Sequence, residues 1–508
     1  MTKIKVLLIL TILTALLMLG GCGTYEAEAP PHEPLTLQDV LAIAQERREG
    51  IEKPTVDFIP HLLQERGGDV IRRERFVSPG RVPASRPAQR LIDDFEMFTN
   101  LIIRTYAAYE YFGGDEVFLP VFANIVETLE SQEYWDVEDF VTLVSDSLDE
   151  IVNDNHFFFG GGIVGGNWEQ FQAFGNEYDF FVPADFDDVF DKTENGFRNR
   201  RTGAYVRELH FNGEPLFFET EDIFRLKMCS EGLFYYSIVI IYPRSEADTF
   251  PVTITYDNGH VDNIAVSLAP FYFIEYEAVS LQHMNGIPVI TIRVMGNIYD
   301  PVFGACANNF LGLVEEVRDE PVIIVDVRSN RGGQLFLPMM WLYNLLGEVV
   351  PTNFTSITHL NTPMELLTIF GERSHDGFTC MFMASERIGD YHVLSYTMPR
   401  RIVSNDQLII LLVDGASASA AEAFTDMTLN LENALIIGQN TWGVLLTDGR
   451  LNPFFLPNSG ALFGFGTALH VFPEGHFSEG IGIAPDIWVN GDALEATLAM
   501  LNASSFSE

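Results

Sequence analysis

Lysine is missing from more than half of this chain. The last one is Lys227, so residues 228–508 contain none, and no reaction that needs a neutral lysine amine as base can be placed there; arginine is no substitute, because it stays protonated. Basic residues are few throughout, 30 against 71 acids, for a formal net charge of −41. Such a polyanion will not grip nucleic acid through its phosphates and is repelled by anionic lipid headgroups. Cysteine is scarce: Cys22, Cys229, Cys306 and Cys380 are far apart with no C-x-x-C. This excludes a disulfide framework and a cysteine zinc site, and the last three read as small buried hydrophobes. His476 and Glu479 have no second histidine at metal-helix spacing, so no metal and no cofactor is expected. The G-x-S-x-G signature of the α/β-hydrolases is absent. Internal repeats are absent too. Beyond the first residues, no apolar run approaches the ~18–20 needed to span a bilayer.

What is present begins with a targeting segment. Lys3 and Lys5 precede the apolar run Val6–Leu19, which ends in Leu19-Gly20-Gly21-Cys22. That tetrapeptide resembles the bacterial lipoprotein processing site, which implies cleavage before Cys22 and a lipid on its thiol. An uncleaved anchor or an ordinary signal peptide is the other reading; either way the body is exported. The expected location is the outer face of a bacterial cell membrane, with the lipid as the only attachment. Residues 22–35 form a short acidic, proline-containing tether.

The remaining length implies two or three domains. Residues 36–160 read as an N-terminal helical domain. In it Leu91, Phe95, Phe98, Ile102, Tyr106 and Tyr109 recur at helical spacing, and Phe140, Val144, Leu148 and Ile151 do so on a later helix. That helix runs out at Asp154-Asn155-His156, beside three phenylalanines. Residues 161–270 read as β-rich, with a hairpin signal at Asp257-Asn258-Gly259. Residues 271–502 alternate apolar strands and helices, the pattern of an α/β core with a mostly parallel sheet whose functional groups collect at the strand ends. No functional reading attaches to residues 36–88.

One corner of that core stands out. Leu408–Val413 is a strand apolar on both faces, Asp414-Gly415 break it, and a helix-favouring run starts at Ala418. Ser417 and Ser419 therefore sit where backbone N–H groups are unpaired and the helix dipole favours negative charge, a good place for a nucleophile and its oxyanion. The same letters also describe a small-residue turn with a serine cap.

Four segments in order resemble one family, the peptidases related to C-terminal processing (tail-specific) proteases and the tricorn core protease. Asp326–Gly333 is similar to their D-x-R-x-N-x-G-G, and Ser417–Glu422 to their S-A-S-A-x-E. Gly438–Gly443 is similar to G-x-x-T-x-G, and Glu479–Val489 to E-G-x-G-x-x-P-D-x-x-V. The resemblance covers roughly residues 90–502. It implies a ClpP/crotonase-like α/β core and puts the nucleophile at Ser419, with the oxyanion hole formed by the Ala420 N–H and one from Gly332 or Gly333. Tail-specific members carry a lysine base where this chain has Val444, so the Ser–Lys mechanism is excluded. The tricorn-like solution implies His156 as base with Glu479 behind it, relayed through Asn155, where that branch has a serine. A free imidazole, with a pKa of about 6.5, is largely neutral near pH 7 and can take the serine proton. His470 and His476 lie close to Glu479 but not at the family's position. Asp326 and Arg328 read as pins for the strand end. The β-rich insert occupies the slot where many relatives carry a PDZ domain.

The resemblance implies a membrane-tethered serine peptidase acting on peptides or unfolded protein segments. A non-catalytic peptide-binding lipoprotein that keeps the fold is the alternative. Oligomeric state is not legible.

Overall fold

The computed structural model describes residues 35–54, 80, 82–160, 163–164, 167–168, 171–174, 177–183, 189–217, 223–270, 278–296, 304–359, 384–388, 391–395, 399–449 and 454–504. The leader, most of the tether, Cys22 and Cys380 lie outside these residues. The strands that frame the site are labelled β1 (Asp154–Gly160), β2 (Ile287–Ile292), β3 (Val322–Asp326), β4 (Leu408–Val413), β5 (Ala434–Gly438) and β6 (Ile487–Trp488). The helices among the described residues are α1 (Leu37–Glu49), α2 (Ala88–Thr105), α3 (Gly114–Glu130), α4 (Val137–Asp149), α5 (Gly304–Gly312), α6 (Val314–Val317), α7 (Phe336–Leu346), α8 (Ala420–Thr428) and α9 (Ala493–Ala503).

β2 to β6 lie side by side in that order, all parallel, inside a ten-stranded sheet. Every residue of β3, β4 and β5 is buried. Alternate residues feed opposite cores, as a period-2 strand requires. Ile324, Ile410 and Ile437 face one core, shared with α1, α9 and the β-rich segments. Ile323, Ile409 and Ile436 face the other, shared with α5, α7 and α8. The α/β expectation thus holds, with β4 in the interior of the sheet and its end buried between two layers.

The β-rich stretch does not form one separate sheet. Six antiparallel strands, Tyr178–Pro183, Val206–Phe211, Glu214–Leu216, Ile240–Pro243, Thr249–Tyr256 and Val261–Leu268, make a sheet of their own. The hairpin expected at Asp257-Asn258-Gly259 joins two of them, with Gly259 at φ +80°. Phe190–Thr193, Gly196–Asn199, Phe224–Met228 and Phe234–Ile238 instead extend the core sheet beyond β6, through a parallel pairing of Lys227 with Trp488. Open edge N–H and C=O groups of the short β6 are thereby covered. Likewise α1 stands apart from α2–α4: Arg47 and Arg48 tie it to Asp486 and to the carbonyls of Ala484, Pro485, Leu431 and Ala434.

Helices α2, α3 and α4 pack with β1 around a phenylalanine-rich core. Phe98 meets Phe159 and Phe463 at ring-centroid distances of 5.0 Å each and lies near Phe157 at 6.3 Å. Phe157 and Phe159 point inward from β1, so His156 between Asn155 and Phe157 emerges on the other face. The pairing of β1 with Phe171–Phe174 also shifts register between Asp154 and Phe158. Such an irregularity re-aims side chains, and His156 sits within it.

Phe98 is fully buried, whereas Leu119 on α3 is 44% exposed. Phe98→Ala is expected to lower unfolding free energy by about 3–5 kcal/mol, and Leu119→Ala to stay within about 0.5 kcal/mol. Urea denaturation of the two variants beside the parent checks both values.

Candidate active site

The corner after β4 is built by side chains that leave its backbone little freedom. The Asp414 carboxylate accepts from the N–H groups of Ala416 (3.0 Å) and Ser329 (2.8 Å). Burial pushes this carboxyl above its ordinary range against those bonds. Ser417 is fully buried; its hydroxyl donates to the Val327 carbonyl at 2.9 Å and accepts from the Asp414 N–H at 3.0 Å. A hydroxyl so committed holds the corner together. Ser419 is different: half-buried, at the junction with α8, and at φ 55°, ψ −113°. A positive φ in a non-glycine residue is strained and persists only where the surroundings enforce it.

Two neighbours enforce it. The Ser419 N–H donates to Glu422 Oε2 at 2.8 Å, and the Ala418 N–H donates to the Asn330 carbonyl at 2.9 Å. The turn after β3 then lies directly on the serine. A Cβ placed on Gly332, which has φ +88°, would stand 2.7 Å from Ser419 Cβ and 2.7 Å from the Ala418 oxygen. No side chain fits there.

The two glycines differ in what their amides do. Gly332 N–H is donated to Asn330 Oδ1 at 2.8 Å, which takes it away from the role expected of it, because the asparagine side chain curls back over its own turn. Gly333 keeps that option. The Gly332 carbonyl and the Gln334 N–H make the bridge to Met295, so the Gly333 N–H faces away from that strand. Ala420 is the first residue of α8, and its N–H has no intrahelical acceptor.

The histidine side is organised by three buried acids. Asp154 Oδ1 accepts the His156 backbone N–H at 2.9 Å, and Oδ2 accepts from Tyr106 Oη and Thr447 Oγ1 at 2.9 Å each. His156 Nδ1 lies 2.7 Å from the Thr447 carbonyl oxygen. A carbonyl can only accept, so Nδ1 carries the proton and Nε2 presents its lone pair. Gly449 lies beside Nε2, where a Cβ would come within 2.8 Å.

Glu479 does not reach the ring through the Asn155 side chain. Its Oε1 accepts the Asn155 backbone N–H at 2.8 Å, while Asn155 Nδ2 is turned to the Gly443 carbonyl at 3.1 Å. The relay expected through that amide is replaced by backbone contacts, and a main-chain carbonyl orients the imidazole. Glu479 Oε2 accepts from Leu446 (2.9 Å) and Leu445 (3.3 Å). The two preceding amides, Gly443 and Val444, donate to Glu422 at 2.7 and 2.8 Å, and Thr441 Oγ1 adds a third bond to it at 2.7 Å. Four successive N–H groups therefore end on two carboxylates. One of these also holds Ser419, the other the residue before His156.

Burial raises all three acids. It pushes Glu422 up to about 7 against its four lowering hydrogen bonds and pushes Glu479 well above the usual range, with the Asp154 charge adding to the effect. It raises Asp154 as well.

His470 and His476 have other partners. His470 Nδ1 meets the Leu445 carbonyl at 2.9 Å, and burial lowers its pKa to about 4. His476 Nε2 pairs with Asp426 at 2.7 Å. Asp326 takes Arg328 and Arg293, and Arg328 reaches on to Asp492, which pins the end of β3. Thr447, Tyr106 and Glu422 carry positioning contacts that sequence reading did not assign. Only Glu422 left a trace, the final letter of S-A-S-A-x-E. No described helix is long and apolar enough to cross a membrane.

Residues 301–489 match the family model of peptidase family S41. Among solved structures the chain is similar to mature CPAF complexed with lactacystin, at 13% identity over 82% of this chain and 98% of that one, TM-score 0.37. It is similar to the photosystem II D1 C-terminal processing protease at 12% identity over 83% and 99%, TM-score 0.36. It is similar to the tricorn protease at 14% identity over 83% and 37%, TM-score 0.30. No curated protein matches the chain.

The raised carboxyl of Glu422 has a consequence for stability. The folded state holds this proton more tightly than the unfolded chain does, because the folded pKa of about 7 exceeds the ordinary 4.5. The resulting stability is fully present below pH 4.5 and is lost as pH rises through about 7. Urea unfolding at pH 5, 6, 7 and 8 is expected to show this downward component in the parent and to lack it in Glu422→Gln.

Proposed function

We propose that this chain is a serine peptidase, in keeping with the match of residues 301–489 to the model of peptidase family S41, and that it hydrolyses peptide bonds through Ser419 with His156 as general base. The substrate is a peptide or an unfolded protein segment, and lipid on Cys22 tethers the enzyme to the outer face of the cell membrane. The single observation that carries the mechanism is the 2.7 Å contact from His156 Nδ1 to the Thr447 carbonyl. It leaves Nε2 as a proton acceptor in a chain that has no lysine after Lys227.

The chemistry follows from the roles. Ser419 Oγ attacks the scissile carbonyl carbon while Nε2 takes the hydroxyl proton, and the carbonyl oxygen becomes an oxyanion. The Ala420 N–H at the start of α8 and the Gly333 N–H are the donors available to it, and the helix terminus adds its positive end. The imidazolium returns the proton to the leaving amine, which departs and leaves an acyl-serine. Water attacks that ester by the same route in reverse. Asp154 and Thr447 keep the ring in place throughout. Glu479 and Glu422 act at one remove, as positioning residues, by fixing the backbone on which the histidine strand and the serine helix meet. Gly332 contributes by having no side chain.

A serine-directed fluorophosphonate probe applied to the soluble body from Gly23 onward tests this. Labelling is expected in the parent and in Ser417→Ala, which loses stability by about 1–2 kcal/mol as its buried bonds go but keeps the nucleophile. It is expected to vanish in Ser419→Ala and His156→Ala. It should fall at least tenfold in Gly332→Ala, whose methyl would collide with Ser419 Cβ. A folded parent that never labels and never cleaves peptides would overturn the reading in favour of a peptide-binding lipoprotein.

A further inference from the structure

We propose that Arg331 is a specificity-determining residue that selects peptides carrying a free carboxylate close to the cleaved bond. The proposal rests on the peptidase reading above and names the substrate feature that its site would prefer.

Arg331 occupies the turn between Asn330, whose carbonyl takes the Ala418 N–H, and Gly332, whose Cα lies against Ser419. Its backbone is thus one residue from the surface that touches the nucleophile. Its guanidinium carbon stands 5.8 Å from the centroid of the Trp442 ring. Trp442 belongs to the segment on the other side of the serine corner: its N–H donates to the Ser417 carbonyl at 2.9 Å, and the next residue, Gly443, donates to Glu422. The stacked pair therefore bridges the two segments that border Ser419.

The charge of Arg331 is uncommitted in a way that others are not. Among the described side chains from residue 228 onward, Arg244, Arg293, Arg318, Arg328 and Arg401 each pair with a carboxylate, and Arg400 donates to Asn353. Among the described residues Arg331 has no carboxylate partner, although acids outnumber bases by more than two to one. It is exposed, and Trp442 is half-buried beneath it. The carboxylates that build the site, Glu422, Glu479, Asp154 and Asp414, are buried and engaged by backbone donors. Stacking on an indole restrains the planar group without using its in-plane N–H donors. The fork remains free to take both oxygens of a carboxylate. A chain of net charge −41 repels acidic peptides at long range, so a local cation beside the nucleophile reverses that preference at one subsite. Two substrates present this chemistry, an Asp or Glu side chain near the scissile bond and the free C-terminus of a chain cut close to its end.

The test uses internally quenched peptides of one core sequence. One set exchanges Gln for Glu at each of three positions on either side of the cleaved bond. The second set ends two or three residues after that bond, as the free acid or the amide. At least one acid-bearing peptide is expected to exceed its neutral twin in kcat/KM by about fivefold or more, mainly through KM, and the ratio should shrink between 50 mM and 1 M salt, because added salt screens an exposed ion pair. Arg331→Gln should bring the ratio to about one, Arg331→Lys should restore part of it, and Arg331→Glu should invert it. The set in which the ratio appears identifies the source of the carboxylate. Equal cleavage of acid and neutral peptides by the parent, or a preference that survives Arg331→Gln, would overturn the proposal and leave the peptidase reading intact. Cleavage of no peptide at all would overturn that reading itself.

Discussion

Two buried carboxylates closing on four successive amides are the constraint on which the site depends. Glu422 takes Gly443 and Val444, and Glu479 takes Leu445 and Leu446. Neither acid needs to touch a reacting atom. Each has one further bond to the part of the chain that carries a candidate reacting residue, Glu422 to Ser419 and Glu479 to Asn155. Residues far apart in sequence are thereby referred to a single short segment. Removing water from these acids is costly, and their raised pKa values express that cost. Four N–H groups that would otherwise be buried without acceptors offset it.

The larger architecture brings these groups within reach of one another. β4 is apolar on every residue and is buried between two cores, so its end is held on both faces. The strained serine can sit there because the helix that follows is docked over its whole length; every residue of α8 is buried. On the other side, β1 is anchored by Phe157 and Phe159 in an aromatic core, which lets the intervening polar residues serve the site. A rigid apolar support beneath a short polar strip is the common plan of both halves.

Sequence reading reached the parts of this plan that leave a periodic or compositional mark. The parallel core followed from unbroken apolar runs such as Leu408–Val413, and the hairpin at Asp257-Asn258-Gly259 from its turn chemistry. The strand Phe224–Met228 could not be assigned to the core sheet, because nothing in its own letters says that it will pair with Trp488 across more than 250 residues. The site was legible as a set of residue types, and less so as a set of bonds. The letters suggest a side-chain relay at Asn155, yet what Glu479 uses is its backbone N–H, which every residue but proline possesses. Thr447 left no signal at all, since its carbonyl does the work for the ring. The motif offers an amide from Gly332 or Gly333; the asparagine two positions before Gly332 takes the first, and at Gly332 the missing side chain is what matters.

The bond from His156 to the Thr447 carbonyl has a consequence for how this centre can drift. A side-chain acceptor can be erased by one codon change. A main-chain acceptor cannot, because every residue that could replace Thr447 brings the same carbonyl. Inheritance can still loosen the strip by altering Asp154 or the Thr447 hydroxyl, and the ring would then swing. Deleting the acceptor itself lies outside the genetic code. What a substitution at this position can remove is the Thr447 hydroxyl that steadies Asp154, while the acceptor for the ring stays with the path of the backbone.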